Sequence, residues 1–184
     1  MAKSDKSREL AVMVGARSLG KVVARRLVAS GLDLLAVGRS GAALESLAGE
    51  SAHIRYCVAD ISEDSAIERI AHCVDKTVRI AIHAPGVPVV GGVLEAPPPG
   101  VLAQAVNIKA GGMLRLFRAV ESQLVRHSRL VAIGGHYGFE PTAYAATAGV
   151  ANAALTNLMR QLSRALGGRG KTRGGCSSGF GRAA

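Results

Sequence analysis

With 184 residues, 48 % apolar content and no Trp, the chain is the size of one domain whose core is built from Ala, Val, Leu and Ile. No apolar run approaches the length of a membrane span, and the charged first nine residues lack the apolar stretch of a signal peptide. Three widely spaced cysteines (Cys57, Cys73 and Cys176) suit neither a disulfide framework nor a zinc site, so a cytoplasmic protein without a metal is expected. Of the net charge of +10, residues 167–184 carry +4, which leaves +6 for the rest. That spread is too diffuse for a nucleic-acid surface, but it suits an anionic small molecule or plain solubility.

In chain order, strand and helix signals alternate. Residues 10–14 form an apolar run, followed by a glycine loop and a helix over 22–30 that turns Val22, Val23, Leu27 and Val28 inward and ends at Gly31. A buried run spans 32–37, and a short helix 42–48. A strand over 53–58 places Ile54, Tyr56 and Val58 on one face, and Ser62 is the expected cap of the next helix. That helix carries Ile67, Ile70, Ala71 and Val74 inward. A fourth strand spans 78–82. Then come a Gly/Pro-rich loop over 91–100, a long helix over 101–125, a fifth strand over 130–133 and a last helix over 142–166. Repeated β-α-β units imply a doubly wound α/β domain: a parallel sheet with helices on both faces and ligands at the carboxyl ends of the strands. Residues 8–166 are assigned to this domain. The stretch 167–184, rich in Gly and Arg and without periodicity, is expected to be disordered.

The loop Gly15-Ala-Arg-Ser-Leu-Gly-Lys21 lies between a strand and a helix. There, backbone N–H groups and the helix's positive end face an anion, usually a phosphate. Two ligands fit the spacing. A P-loop phosphotransferase would use Gly15, Gly20 and Lys21, but Val22 stands where Ser or Thr would hold magnesium. A dinucleotide fits a shortened glycine loop, and a tight turn with no ligand is the plain alternative. Arg17 in this loop and Arg39 after the second strand offer two guanidiniums where an acid would favour a ribose 2′-hydroxyl, which suits a 2′-phosphate.

Further along, Asp60-Ile61 ends the third strand, His83-Ala84-Pro85-Gly86 the fourth, and Asn107 lies inside the long helix. Then come Ile133-Gly134-Gly135-His136-Tyr137-Gly138 and Tyr144-Ala-Ala-Thr147-Ala148. As an ordered set these resemble the short-chain dehydrogenase/reductase family over residues 8–166. The resemblance implies a Rossmann-type sheet in the order 3-2-1-4-5 and a nicotinamide cofactor, NADP(H) by the arginines. Gly15, Arg17, Ser18, Leu19, Gly20, Arg39, Asp60, Ile61, Ala84, Pro85 and Gly86 are the implied cofactor contacts. It assigns Tyr144 as the proton donor and Asn107 as its support in the proton relay. The family's glycine loop, T-G-x-x-x-G-x-G, has one more residue and a middle glycine. Its Asn-Asn-Ala-Gly becomes His83 to Gly86.

Two family residues are replaced outright: Gly135 stands for the catalytic Ser and Ala148 for the Lys of Tyr-x-x-x-Lys. A free phenol has a pKa of about 10, which a nearby ammonium would lower. Without the Ser and the Lys, acid–base help of order 10² to 10⁴ is lost. Carbonyl reduction or alcohol oxidation is therefore expected to be weak, with His136, Tyr137 or Thr147 as partial substitutes. The alternative is a non-catalytic cofactor-binding or partner subunit of the same fold. The substrate is a small molecule that the sequence does not name. The resemblance also implies a homodimer or tetramer built on the helices over 101–125 and 142–166. The abrupt change after Leu166 reads as a truncated or frame-altered end.

Overall fold

A computed structural model describes residues 8–91 and 99–168. Five strands form one sheet: β1 (Leu10–Val14), β2 (Asp33–Gly38), β3 (Ile54–Val58), β4 (Val78–His83) and β5 (Leu124–Ala132). All neighbours are parallel, in the order β3-β2-β1-β4-β5, as the β-α-β alternation requires. The helices are α1 (Leu19–Ala29), α2 (Gly41–Ala48), α3 (Ser65–Cys73), α4 (Pro99–Val106), α5 (Gly112–Val120) and α6 (Ala146–Gly168).

β1 is central and apolar on both faces. Leu10, Val12 and Val14 join one core with Ile70, Leu116 and Val120, on the side of α3 and α5. Ala11 and Met13 join another with Ala24, Leu44 and Leu47, on the side of α1 and α2. A third cluster, Met113, Phe117, Leu155, Met159 and Leu162, fastens α6 to α5. Each fully buried large aliphatic side chain stabilises the fold by about 1.5–3 kcal/mol.

Several boundaries differ from the sequence reading. The helix expected over 101–125 is three segments: α4, a π-helical turn at Asn107–Gly111, and α5. A 3₁₀ turn at Glu121–Gln123 then leads into β5, which begins at Leu124 rather than 130. Its first half is irregular against β4 and is tied down by the buried Ser128, whose hydroxyl donates to the Val78 carbonyl at 2.5 Å and accepts from the Val125 N–H. The last helix starts at Ala146, because 141–145 form a turn, and it continues through Gly167 to Gly168. The rest of the stretch expected to be disordered lies outside the described residues. Ser62 does not cap α3. Asp64 holds the cap position without a side-chain bond, and Ser62 is buried against Asp60. Val22 faces outward, as do Tyr56 and Val58 on the edge strand β3.

Candidate functional site

The turn from β1 into α1 is shaped by its two glycines. Gly15 has φ +88°, and a Cβ there would press on the Ala84–Pro85 peptide at 3.0 Å, so β1 and the end of β4 approach backbone to backbone. Gly20 is buried against the same loop, and a Cβ there would overlap the Gly15 carbonyl oxygen. Between them Ser18 adopts φ 49°, ψ −118°, a conformation that side chains rarely take. The shortened loop thus asks for a glycine where it has none. No acidic residue occupies the first turn of α1, which leaves the helix's positive end uncompensated.

Around this turn opens a cleft of about 860 Å³ at the carboxyl ends of the strands, within the range of about 300–1,000 Å³ usual for small-molecule and cofactor sites. It is lined by residues 14–20, 38–40, 43–44, 59–61, 84–86, 108 and 133. Every residue named above as a cofactor contact stands on its wall. Ser40, Ala43, Leu44, Ile108 and Ile133 also line it and were not foreseen. Ser40 could have been found as the cap of α2, since its hydroxyl accepts the Ala43 N–H at 3.4 Å. The two isoleucines carry no sequence signal.

At one end of the cleft Arg17 and Arg39 are exposed, with Arg39 Nη1 3.9 Å from Asp60 Oδ2. Asp60 Oδ1 accepts the Ser62 N–H at 3.0 Å and hydroxyl at 2.8 Å. Burial pushes the Asp60 carboxyl up. The Ser62 hydrogen bonds and the charges of Arg39 and Arg115 outweigh it and hold the group below its ordinary range, ionised at neutral pH. Lys21 does not line this cleft, and its ammonium pairs with Glu50 at 2.8 Å.

His83 closes β4 and is fully buried, with Nε2 donating to the Ile108 carbonyl at 3.0 Å and Nδ1 unpartnered. Burial, followed by the charge of Lys109, pushes its pKa down to about 3, so the ring is neutral. Lys109 lies on the π-helical turn, 5 % exposed, and its Nζ donates to the Ile133 carbonyl at 2.9 Å. Burial lowers its pKa to about 8.

The proposed catalytic residues are placed differently. Asn107 opens the π-helical turn, a feature frequent at functional sites. Its side chain is engaged: Nδ2 donates to the Ser62 carbonyl at 2.9 Å and Oδ1 accepts from Arg115 Nη1 at 2.9 Å. Arg115 also bonds Asp64 at 2.7 Å, so this network ties the π-helical turn to the loop after β3. Tyr144 lies on the turn before α6, 58 % exposed, its hydroxyl 3.4 Å from that of Tyr137 and the rings edge to face. Neither Tyr144 nor Asn107 lines the cleft.

The expected substitutes also lie outside the cleft lining. Thr147 is fully buried, accepting the Val90 N–H at 3.1 Å and held to the Pro88 carbonyl at 3.2 Å. His136 is exposed and pairs with Glu140. Ala148 is buried, and a Cβ at Gly135 would stand 2.8 Å from Asn152 Nδ2. The place of the missing hydroxyl is filled by the buried carboxamide of Asn152, whose Oδ1 is unpartnered.

A parallel sheet in this order with a glycine turn after its central strand defines a Rossmann-type α/β domain. A family model described as enoyl-(acyl carrier protein) reductase matches residues 14–179, past Leu166 where the sequence likeness was drawn to a close. The chain belongs to the short-chain dehydrogenase/reductase family. None of the curated proteins matches it significantly. Among solved structures, a short-chain dehydrogenase from Streptomyces avermitilis is similar with 21 % identity and a TM-score of 0.81, over 92 % of this chain and 64 % of that one. An NADPH-bound short-chain oxidoreductase from Pseudomonas aeruginosa PAO1 containing an atypical catalytic centre shares 18 % identity and a TM-score of 0.81, over 90 % of this chain and 69 % of that one. A short-chain dehydrogenase/reductase from Burkholderia phymatum in complex with NAD shares 18 % identity and a TM-score of 0.82, over 93 % and 64 %. The chain thus spans less than two thirds of the length of the Streptomyces and Burkholderia structures.

Proposed function

We propose that this chain binds NADP(H) and that its hydride transfer between a carbonyl and an alcohol is weak. The observation that carries the reading is the contrast between the cleft and the segment from β5 into α6. The glycine turn, Arg17 and Arg39 line the cleft, whereas the places of the family's Ser and Lys hold Gly135 and the buried Ala148. When bound, the cofactor would supply or accept the hydride. Backbone N–H groups of the turn would face its pyrophosphate, and the two guanidiniums its 2′-phosphate. Tyr144 would have to move from its exposed turn to deliver a proton, and without that movement the chain is a cofactor-binding subunit.

The test is calorimetric titration with NADPH, NADH and MgATP, since the chain has no Trp to report binding. NADPH should bind at least about tenfold more tightly than NADH, and Arg39→Ala should erase most of that margin, as loss of a charge-assisted hydrogen bond implies. Equal affinity for the two would remove the NADP preference, and binding of ATP alone would remove the dinucleotide. With carbonyl substrates, turnover should lie about 10² to 10⁴ below that of an enzyme with the full catalytic set. The further proposals are a homodimer or tetramer through α4, α5 and α6, which light scattering checks, and a cytoplasmic setting. No helix among the described residues is long and apolar enough to cross a membrane.

A further inference from the structure

Lys109 is the buried charge that the cofactor reading leaves without a task. Its Nζ bonds the Ile133 carbonyl, and Ile133 and Ile108, the residue before it, both line the cleft. The ammonium therefore stands directly behind the cleft wall at the β4–β5 end. Among the described residues no carboxylate pairs with it. Its surroundings are uncharged. On β4, His83 is neutral, and α6, packed on the π-helical turn, buries Ala148, Ala151 and Asn152. The next cation along its own segment, Arg115, is taken by Asp64 and Asn107.

The sheet order says which part of a dinucleotide would lie there. The glycine turn after β1 is central; Arg39 and Asp60 follow β2 and β3 on one side, and Ile133 ends β5 on the other. A ligand with its 2′-phosphate at Arg39 and its pyrophosphate at the turn leaves its nicotinamide to the β4–β5 side. The oxidised ring is cationic and the reduced ring is neutral, and both forms carry the same phosphates.

We propose that Lys109 biases the cleft toward the reduced cofactor, its ammonium repelling the oxidised ring from behind Ile133. The proposal rests on the dinucleotide reading above. Lys109 sits within the π-helical turn, and its Nζ reaches the end of β5. A unit charge shielded by protein rather than by water changes an affinity by a factor on the order of 5–10 at such range.

The test measures dissociation constants for NADP⁺ and NADPH in the wild type, Lys109→Met and Lys109→Arg between pH 7 and 9.5. The quantity read is the ratio of the NADP⁺ constant to that of NADPH, in which titration of the shared 2′-phosphate cancels. In the wild type the ratio should fall about fivefold as pH rises through about 8, where the ammonium loses its proton. Lys109→Met should show the low ratio at every pH, and Lys109→Arg the high ratio at every pH. A wild-type ratio that is flat over this range, or one that Lys109→Met leaves unchanged at pH 7, overturns the proposal. If Lys109→Met does not fold, the contrast between the wild-type profile and that of Lys109→Arg decides. If neither cofactor form binds the wild type, the dinucleotide reading itself fails and this proposal with it. Binding with a ratio indifferent to pH and to residue 109 leaves that reading standing and removes this one alone.

Discussion

The β1–β3 side of the cleft and the segment from β5 into α6 beyond it have fared differently. In the first, what the ligand would meet is largely backbone: a turn closed by Gly15 and Gly20, and the start of α1. In the second, the chemistry belongs to side chains, and the positions that should carry it hold Gly135 and Ala148, with Tyr144 turned to solvent. The difference has a physical cause. A glycine that lets two strands meet cannot change without disturbing the fold, whereas a catalytic hydroxyl or ammonium can be lost while the core stays packed. The glycine turn is therefore held by folding as well as by binding, and the catalytic face by function alone.

The largest effect expected from that contrast is at Gly20. A Cβ there overlaps the Gly15 carbonyl oxygen and stands 2.9 Å from Met13 Cε in the core. Gly20→Ala should destabilise by about 3 kcal/mol, read from urea unfolding, and abolish cofactor binding. Gly86, on the same cleft wall, has nothing within 4 Å of an added Cβ, so Gly86→Ala should stay within about 0.5 kcal/mol of the wild type. Equal losses at the two positions would mean that the turn is not what the first region depends on.

On the catalytic side, restoring the hydroxyl is hindered by Asn152. Gly135→Ser should cost about 2 kcal/mol, because its Cβ would stand 2.8 Å from Asn152 Nδ2. Asn152→Ala removes that obstacle together with an unpartnered oxygen, so the double variant should recover at least about 1 kcal/mol relative to additivity. Ala148→Lys with Gly135→Ser should raise turnover only once Asn152 is shortened. Strict additivity in the unfolding cycle would show that the carboxamide does not hold the place of the hydroxyl.

His83, at the end of β4, gives the fold a pH signature of similar size. Its folded pKa of about 3 lies below the ordinary 6.5, so the folded state resists the proton that the unfolded chain accepts. Its contribution to stability is complete above about pH 6.5 and declines as pH falls from there toward 3, by about 1.4 kcal/mol per unit. Between pH 6.5 and 5 the loss should reach about 2 kcal/mol. His83→Asn, which has no titrating group, should flatten this part of the profile. A slope unchanged in that variant would assign the acid sensitivity to other groups.

The sequence was a good guide to the first region because its signals are local. Apolar runs separated by helical stretches give the strand order, and the glycines mark the turn where phosphate would sit. It was a poor guide to the rest, where position depends on register. The π-helical turn at Asn107–Gly111 adds one residue to a helix that otherwise looks continuous, so faces counted from Val101 are rotated after it. Lys109 reads as a surface residue by its charge and is buried in the fold. Similarly, the Arg and His residues in 126–129 break the alternation that would have revealed β5 from Leu124. Asn152 carried no signal, since its role is set by glycines 14 to 18 residues away that leave it room.

Ser18 sharpens the comparison from the binding side with the smallest change. The loop is one residue shorter than the family pattern, and Ser18 takes φ 49° in a region that glycine enters without penalty. Its hydroxyl makes no capping bond, so nothing visible offsets the strained backbone. Such conformations cost on the order of 1 kcal/mol or more for a residue with a Cβ. Ser18→Gly removes the strain but also gives the unfolded chain more freedom, which returns part of the gain. A net stabilisation of about 0.5–1 kcal/mol is expected in the urea midpoint, with cofactor affinity equal or tighter because the turn is no longer held open against its preference. A loss of affinity in Ser18→Gly would mean that the serine hydroxyl itself contacts the ligand.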